Sequence, residues 1–186
     1  MDNEKKYEVL MIDPPWKHKK GGIRKVRPKQ GIFFNYNTME VGEVFELLDK
    51  LIFKRAATNH SVFLWTIDAY LTECDVFMEK RGYKRHCRFI WNKQNGIAPA
   101  FTVRFTHEYL IWYYKIRMPM IVKESRGKFT TVLSEKSRQH SRKPEISYTL
   151  IEQLYPASFK MDVFSREKRA NWDQFGDEPN YYHLKF

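Results

Sequence analysis

Apolar runs of strand length alternate along this chain with segments of helical period, and that alternation limits the possible folds more than any other feature. Residues 7–12, YEVLMI, are stopped by Asp13-Pro14-Pro15, where two prolines remove backbone donors and end any ladder. A buried strand with Asp13 at its end is predicted. Thr38 is placed to cap a helix over 39–57, in which Val41, Val44, Phe45, Leu48, Leu51 and Ile52 recur at helical spacing. A second strand is predicted over 61–67, SVFLWTI, then a helix capped by Asp68 that runs through Arg81 and closes at Gly82. Residues 83–92 and 107–115 are dense in aromatic and β-branched side chains and predict two more strands, with Asn95-Gly96 and Pro99 in the loop between them. Pro144 suits the first turn of a helix through Leu154, and FKMDVF, residues 159–164, predicts a further strand. This order predicts an α/β fold with a mainly parallel sheet. Trp65, Phe89, Trp91, Trp112 and Tyr113 lie within strand runs and are expected in the core.

At 186 residues, 1–186 is expected to be a single domain. Two basic segments are predicted as loops: 17–36, with its dense run of lysine and arginine around Gly21-Gly22, and 123–143, which lacks clear periodicity and is expected to be mobile. Lysine and arginine exceed aspartate and glutamate by 33 − 22 = 11, which favours a polyanionic partner, nucleic acid first. No apolar stretch approaches membrane-spanning length and the opening residues do not read as a signal peptide, so no membrane association is expected. Cys74 and Cys87 form no metal-binding spacing and the six histidines are scattered, so the expectation is a reducing, cytoplasmic setting without a metal site.

In an open α/β sheet, ligands gather beyond the carboxyl ends of the strands, which directs attention to Asp13-Pro14-Pro15-Trp16. Those four residues suit chemistry on an exocyclic amine. An adenine amino group is a poor nucleophile because its lone pair is delocalised into the ring. The Asp13 carboxylate and the Pro14 carbonyl can accept its hydrogens and stabilise the positive charge that develops as it attacks a methyl donor. Pro14 and Pro15 fix the backbone beforehand, and the Trp16 ring offers a face for a base taken out of its helix.

DPPW at 13–16, YNTM at 36–39, FLWT at 63–66, HSRKPE at 140–145, and DVFSR followed by NW and GDE, in this order, closely resemble the MT-A70 family. These are adenine-N6 methyltransferases that use S-adenosylmethionine. The resemblance implies a seven-stranded α/β methyltransferase fold with helices on both faces, in the permuted order of the beta class of amino methyltransferases. It also implies that Asp13, Pro14, Pro15 and Trp16 form the catalytic pocket and that Asp13 lies near the amino group of the cofactor's methionine part. Lys143 is similar to the family lysine that meets the methionine carboxylate, and an ammonium at the mouth of a helix opening at Pro144 fits an anion site. Arg166 resembles the ribose-contacting arginine, and Asp177 and Glu178 stand where the family lines the adenosine half. The family commonly has asparagine where this chain has Asp177.

Lys17, Lys19, Lys20, Arg24, Lys25, Arg27 and Lys29 follow Trp16 directly and are expected to hold phosphates beside an extruded base. The resulting expectation is methyl transfer to the N6 amine of adenine in DNA, without metal or covalent enzyme intermediate. An RNA adenosine methyltransferase of the same family is the alternative, and a silent nucleic-acid-binding subunit is a third possibility. A homodimer or a related partner subunit fits either enzyme.

Overall fold

The computed structural model describes residues 5–17, 38–97, 103–139 and 141–176. Seven strands form one sheet: β1 (Tyr7–Ile12), β2 (Ala56–Thr66), β3 (Tyr83–Asn92), β4 (His107–Lys115), β5 (Val132–Ser134), β6 (Lys160–Val163) and β7 (Trp172–Phe175). Their spatial order is β5-β3-β4-β2-β1-β6-β7. The pairs β1–β2, β1–β6, β6–β7 and β3–β5 are parallel, whereas β4 runs antiparallel to both neighbours. From β1 the chain proceeds to β2 on one side and later reaches β6 on the other. The carboxyl ends of β1 and β6 therefore flank the place where the strand order reverses, the usual position of a ligand crevice in such sheets.

Side chains alternate across β1 with a period of two. Leu10 and Ile12 pack with Val62 and Leu64 of β2 against α1 (Val41–Leu47), its continuation through Ile52, and α2 (Leu71–Lys80). Val9 and Met11 face the other way, packing with Phe63, Trp65, Phe89, Trp91, Leu110 and Trp112 under α3 (Glu145–Leu154). Helices thus cover both faces, and each fully buried aliphatic side chain contributes roughly 1.5–3 kcal/mol relative to exposure. The five strand aromatics expected in the core are all buried, Tyr113 completely.

Several local expectations need correction. The first helix starts at Val41 with Glu40 as its N-cap, not at Thr38, because Met39 is held in an extended bridge to Trp16. It is also shorter than 39–57: a wide turn over Leu48–Ile52 and a tight one over Phe53–Arg55 lead straight into β2 at Ala56. Asp68 opens a tight turn, Asp68–Tyr70, and no side chain caps α2 at Leu71. Gly82 does end that helix, at a φ of +74° that glycine adopts without strain. The 123–143 segment is not a featureless loop. It carries a tight turn at Lys123–Ser125 and the edge strand β5, anchored by buried Leu133. Beyond Lys17, the first basic segment lies outside the described residues.

Candidate active site

The DPPW segment leaves β1 under firm backbone control. The Asp13 N–H donates to the Val163 carbonyl at 3.1 Å, the Trp16 N–H to the Pro14 carbonyl at 2.8 Å, and the Met39 N–H to the Pro15 carbonyl at 2.8 Å. The Pro14 carbonyl keeps one lone pair for another donor. Trp16 is buried at 5% exposure, stacked on Tyr70 with ring centroids 5.1 Å apart and edge-on to Phe45. Its indole N–H donates to the Trp65 carbonyl at 3.0 Å. The ring expected to offer a face to a base is therefore a buttress, which holds the turn at Pro14 from behind.

Lys143 joins three elements at the crevice. Its ammonium lies 3.0 Å from Asp13 Oδ1 and 2.8 Å from Glu108 Oε2, and 5.3 Å above the Trp65 ring. Lys93 completes the cluster, 2.5 Å from the other Glu108 oxygen. Burial works against the Lys143 charge, yet Asp13 and Glu108 outweigh it and hold the ammonium well above its ordinary range. Burial likewise opposes ionisation of Glu108, but Lys143 and Lys93 bring its carboxyl down to about 2. For Asp13 the balance tips the other way. Burial raises it above the usual carboxylate range, assisted by Glu108 and opposed by Lys143 and Arg166.

A cleft with about 320 Å³ of open space, counting its mouth, lies beside this cluster. Asp13, Lys143 and Arg166 line it together with Tyr148, Asp162, Phe164, Ser165, Glu167 and the 141–142 segment. Gly176 shapes the neighbouring turn, since a Cβ there would stand 3.2 Å from Phe164 Cα and from Ser165 N and O. A zwitterionic amino-acid group on a sulfonium nucleoside requires a carboxylate for its ammonium and cations for its carboxylate and ribose side. Asp13, Lys143 and Arg166 all line this cleft, a carboxylate and two cations of the kinds such a group requires, so the residues present fit S-adenosylmethionine.

Other expected residues stand apart. Lys17 is exposed and pairs with Glu40, while Lys19, Lys20, Arg24, Lys25, Arg27, Lys29, Asp177 and Glu178 lie outside the described residues. The helix mouth at Pro144 is not an open anion seat, because the Glu135 carboxylate already accepts the N–H groups of Glu145 and Ile146 at 2.8 and 2.9 Å. Arg138 pairs with Glu145 and Arg142 with Glu167, so these cations of the second basic segment are committed within the protein.

Sequence reasoning missed Glu108 and Asp162. Glu108 carried a signal: a carboxylate opening the aromatic run 107–115 must be paired if it is buried. Asp162, inside FKMDVF, is 1% exposed, and the Tyr148 hydroxyl donates to its Oδ2 at 2.9 Å.

Among the described residues no helix is long and apolar enough to cross a membrane. A family model, MT-A70, matches residues 7–178. The type II methyltransferase M.MunI of Mycoplasma sp is 26% identical over 94% of this chain and 78% of its own length. The N(6)-adenosine-methyltransferase MT-A70-like of Arabidopsis thaliana is 27% identical over 94% of this chain, and the N(6)-adenosine-methyltransferase subunit METTL3 of Danio rerio 26% over 96%. This chain spans only 24% and 29% of those two relatives. Matched from the first strand past the last, on a seven-stranded α/β sheet, the chain belongs to the MT-A70 family of N6-adenine and N6-adenosine methyltransferases, which generally use S-adenosylmethionine.

Proposed function

We propose that this protein transfers a methyl group from S-adenosylmethionine to the N6 amine of adenine in DNA. The observation that carries the reading is the position of Asp13. Its carboxylate stands at the carboxyl end of β1, beside the strand-order reversal, held by Lys143 at 3.0 Å and lining the cleft.

The cofactor, when bound, supplies a methyl group made electrophilic by a positively charged sulfur. Asp13 and the free lone pair of the Pro14 carbonyl accept the two hydrogens of the target amine, which localises the nitrogen lone pair for attack. As positive charge grows on that nitrogen, the Asp13 carboxylate stabilises it and accepts the proton the amine then loses. Lys143 opposes the rise that burial gives Asp13 and so favours its ionised form, and Glu108 in turn holds Lys143. The backbone bonds at Asp13, Pro15 and Trp16 fix these acceptors before substrate arrives, so little reorganisation is needed at the moment of transfer.

DNA is favoured over RNA because M.MunI, a type II methyltransferase, is matched over most of its own length, whereas the adenosine methyltransferases are matched over about a quarter of theirs. The excess of 11 positive charges supports a nucleic-acid substrate of either kind. Deoxy and ribo oligonucleotides of one sequence, offered with labelled methyl donor, test the choice. Label in the deoxy strand supports DNA, and label confined to the ribo strand makes this an RNA methyltransferase.

A further inference from the structure

Asp162 forms part of the cleft although nothing in the proposed transfer uses it. It sits in β6, whose backbone pairs with β1 on one side and β7 on the other, with Asp162 opposite Met11 and Gln174. Its side chain is 1% exposed and lines the same cleft as Asp13. From α3, the Tyr148 hydroxyl donates to it at 2.9 Å, and the Arg169 guanidinium stacks 3.5 Å above the Tyr148 ring. Arg169 is itself committed to Glu145 at 2.8 Å and to Glu167 at 3.0 Å. From β1 comes Asp13, whose negative charge opposes that of Asp162, while Lys143 is committed to Asp13 and Glu108. Among the described residues no ion pair to Asp162 is formed by any of these cations.

A buried carboxyl beside a carboxylate neighbour is costly to ionise, and burial with this neighbour raises Asp162 to about 7 despite the Tyr148 and Ser165 hydroxyls and the Arg169 charge. Asp162 stays raised although Arg142, Lys143 and Arg166 also line the cleft, so a further positive charge placed in the cleft favours its ionised form. Resting on the function proposed above, we infer that Asp162 distinguishes the charged methyl donor from the spent product: the sulfonium stabilises the Asp162 carboxylate, whose proton leaves to solvent as the donor binds. The demethylated thioether product carries no charge on sulfur, so Asp162 regains its proton and the product is held less tightly. The discrimination acts through charge and demands no contact between Asp162 and sulfur.

The test is titration calorimetry of the full chain with S-adenosylmethionine and, separately, with S-adenosylhomocysteine, in buffers of different ionisation enthalpy. Wild type is expected to release about half a proton per donor bound at pH 7 and close to none at pH 9, with less released for the product. Donor affinity is expected to fall by up to roughly tenfold for each pH unit below 7, and the product's affinity by less. Asp162→Asn is expected to abolish the release and to narrow the preference for donor over product severalfold. Tyr148→Phe, which keeps the carboxyl, is expected to retain the release with its midpoint moved to higher pH. Donor binding without proton release, or release that persists in Asp162→Asn and therefore comes from Asp13, overturns the inference while leaving the methyltransferase reading intact. If Asp162→Asn does not fold, an unmoved midpoint in Tyr148→Phe overturns it. Failure of wild type to bind either ligand at any pH overturns the reading itself and the inference with it.

Discussion

The Lys143 ammonium stands 3.0 Å from the Asp13 carboxylate and only 11% exposed, so the residue proposed to activate the substrate amine is held by a buried cation rather than by water. Two further groups, Glu108 and Lys93, continue the alternation of charge into the protein. Removing Lys143 would leave two carboxylates facing each other with no cation between them.

Lys143→Met is therefore expected to lower stability by about 3–5 kcal/mol, the usual cost of removing one member of a buried ion pair. Urea denaturation at pH 7 measures it. A loss below 1 kcal/mol would mean that water already screens the pair.

Acid should weaken this fold through His60 before Glu108 titrates. Burial brings His60 down to about 4 from the usual 6.5, and its ring is held neutral between the Ala57 carbonyl and the Tyr83 hydroxyl. The unfolded chain then binds the extra proton between pH 6.5 and 4, so His60 contributes stability that is lost as pH falls through that window, by at most roughly 3 kcal/mol. Glu108, lowered from 4.5 to about 2, has the same sign at lower pH. Asp162, raised from 3.8 to about 7, has the opposite sign and favours the folded state as pH falls. The difference in denaturation midpoint between wild type and His60→Gln, followed from pH 7 to pH 4, isolates the histidine. The gap should shrink as pH falls, and a constant gap would contradict the assignment.

Trp16 separates a buttress from a base platform. Trp16→Ala is expected to cost about 3–5 kcal/mol, as truncation of a buried aromatic does, because the ring fills the space between Tyr70 and Phe45. Trp16→Phe keeps most of that packing and loses the bond to Trp65, at about 1 kcal/mol. Thermal unfolding of both variants distinguishes the roles, since an exposed platform could be truncated with little change in stability.

Gly176→Ala tests how tightly the Arg166 turn is packed. The new methyl would press on Phe164 and Ser165 backbone at 3.2 Å and force the turn outward, at about 1–3 kcal/mol. Donor affinity should fall with it. Unchanged affinity measured by calorimetry would place Arg166 outside the cofactor's reach.

Much of this was legible from local sequence. The strands 83–92 and 107–115 match β3 and β4 residue for residue, because aromatic and β-branched runs bounded by glycine and polar residues leave little choice. Asp13 at the end of β1 followed from two prolines. What stayed hidden depends on partners distant in sequence. β5 and β7 are three and four residues long and are strands only because β3 and β6 provide an edge. The antiparallel direction of β4 is decided by pairing, not by pattern. Thr38 has a good capping side chain, yet the bridge from Met39 to Trp16 keeps the chain extended there. Glu108 became a site residue only when β4 folded beside β2 and brought it to Lys143, 35 residues away.

Activation of the amine by Asp13 is tested most directly by mass spectrometry of nucleosides after incubation with deuterated-methyl S-adenosylmethionine and DNA, beside Asp13→Ala. Labelled N6-methyldeoxyadenosine is expected from wild type and none from a folded Asp13→Ala that still unfolds cooperatively. Near-normal labelling by Asp13→Ala would contradict it.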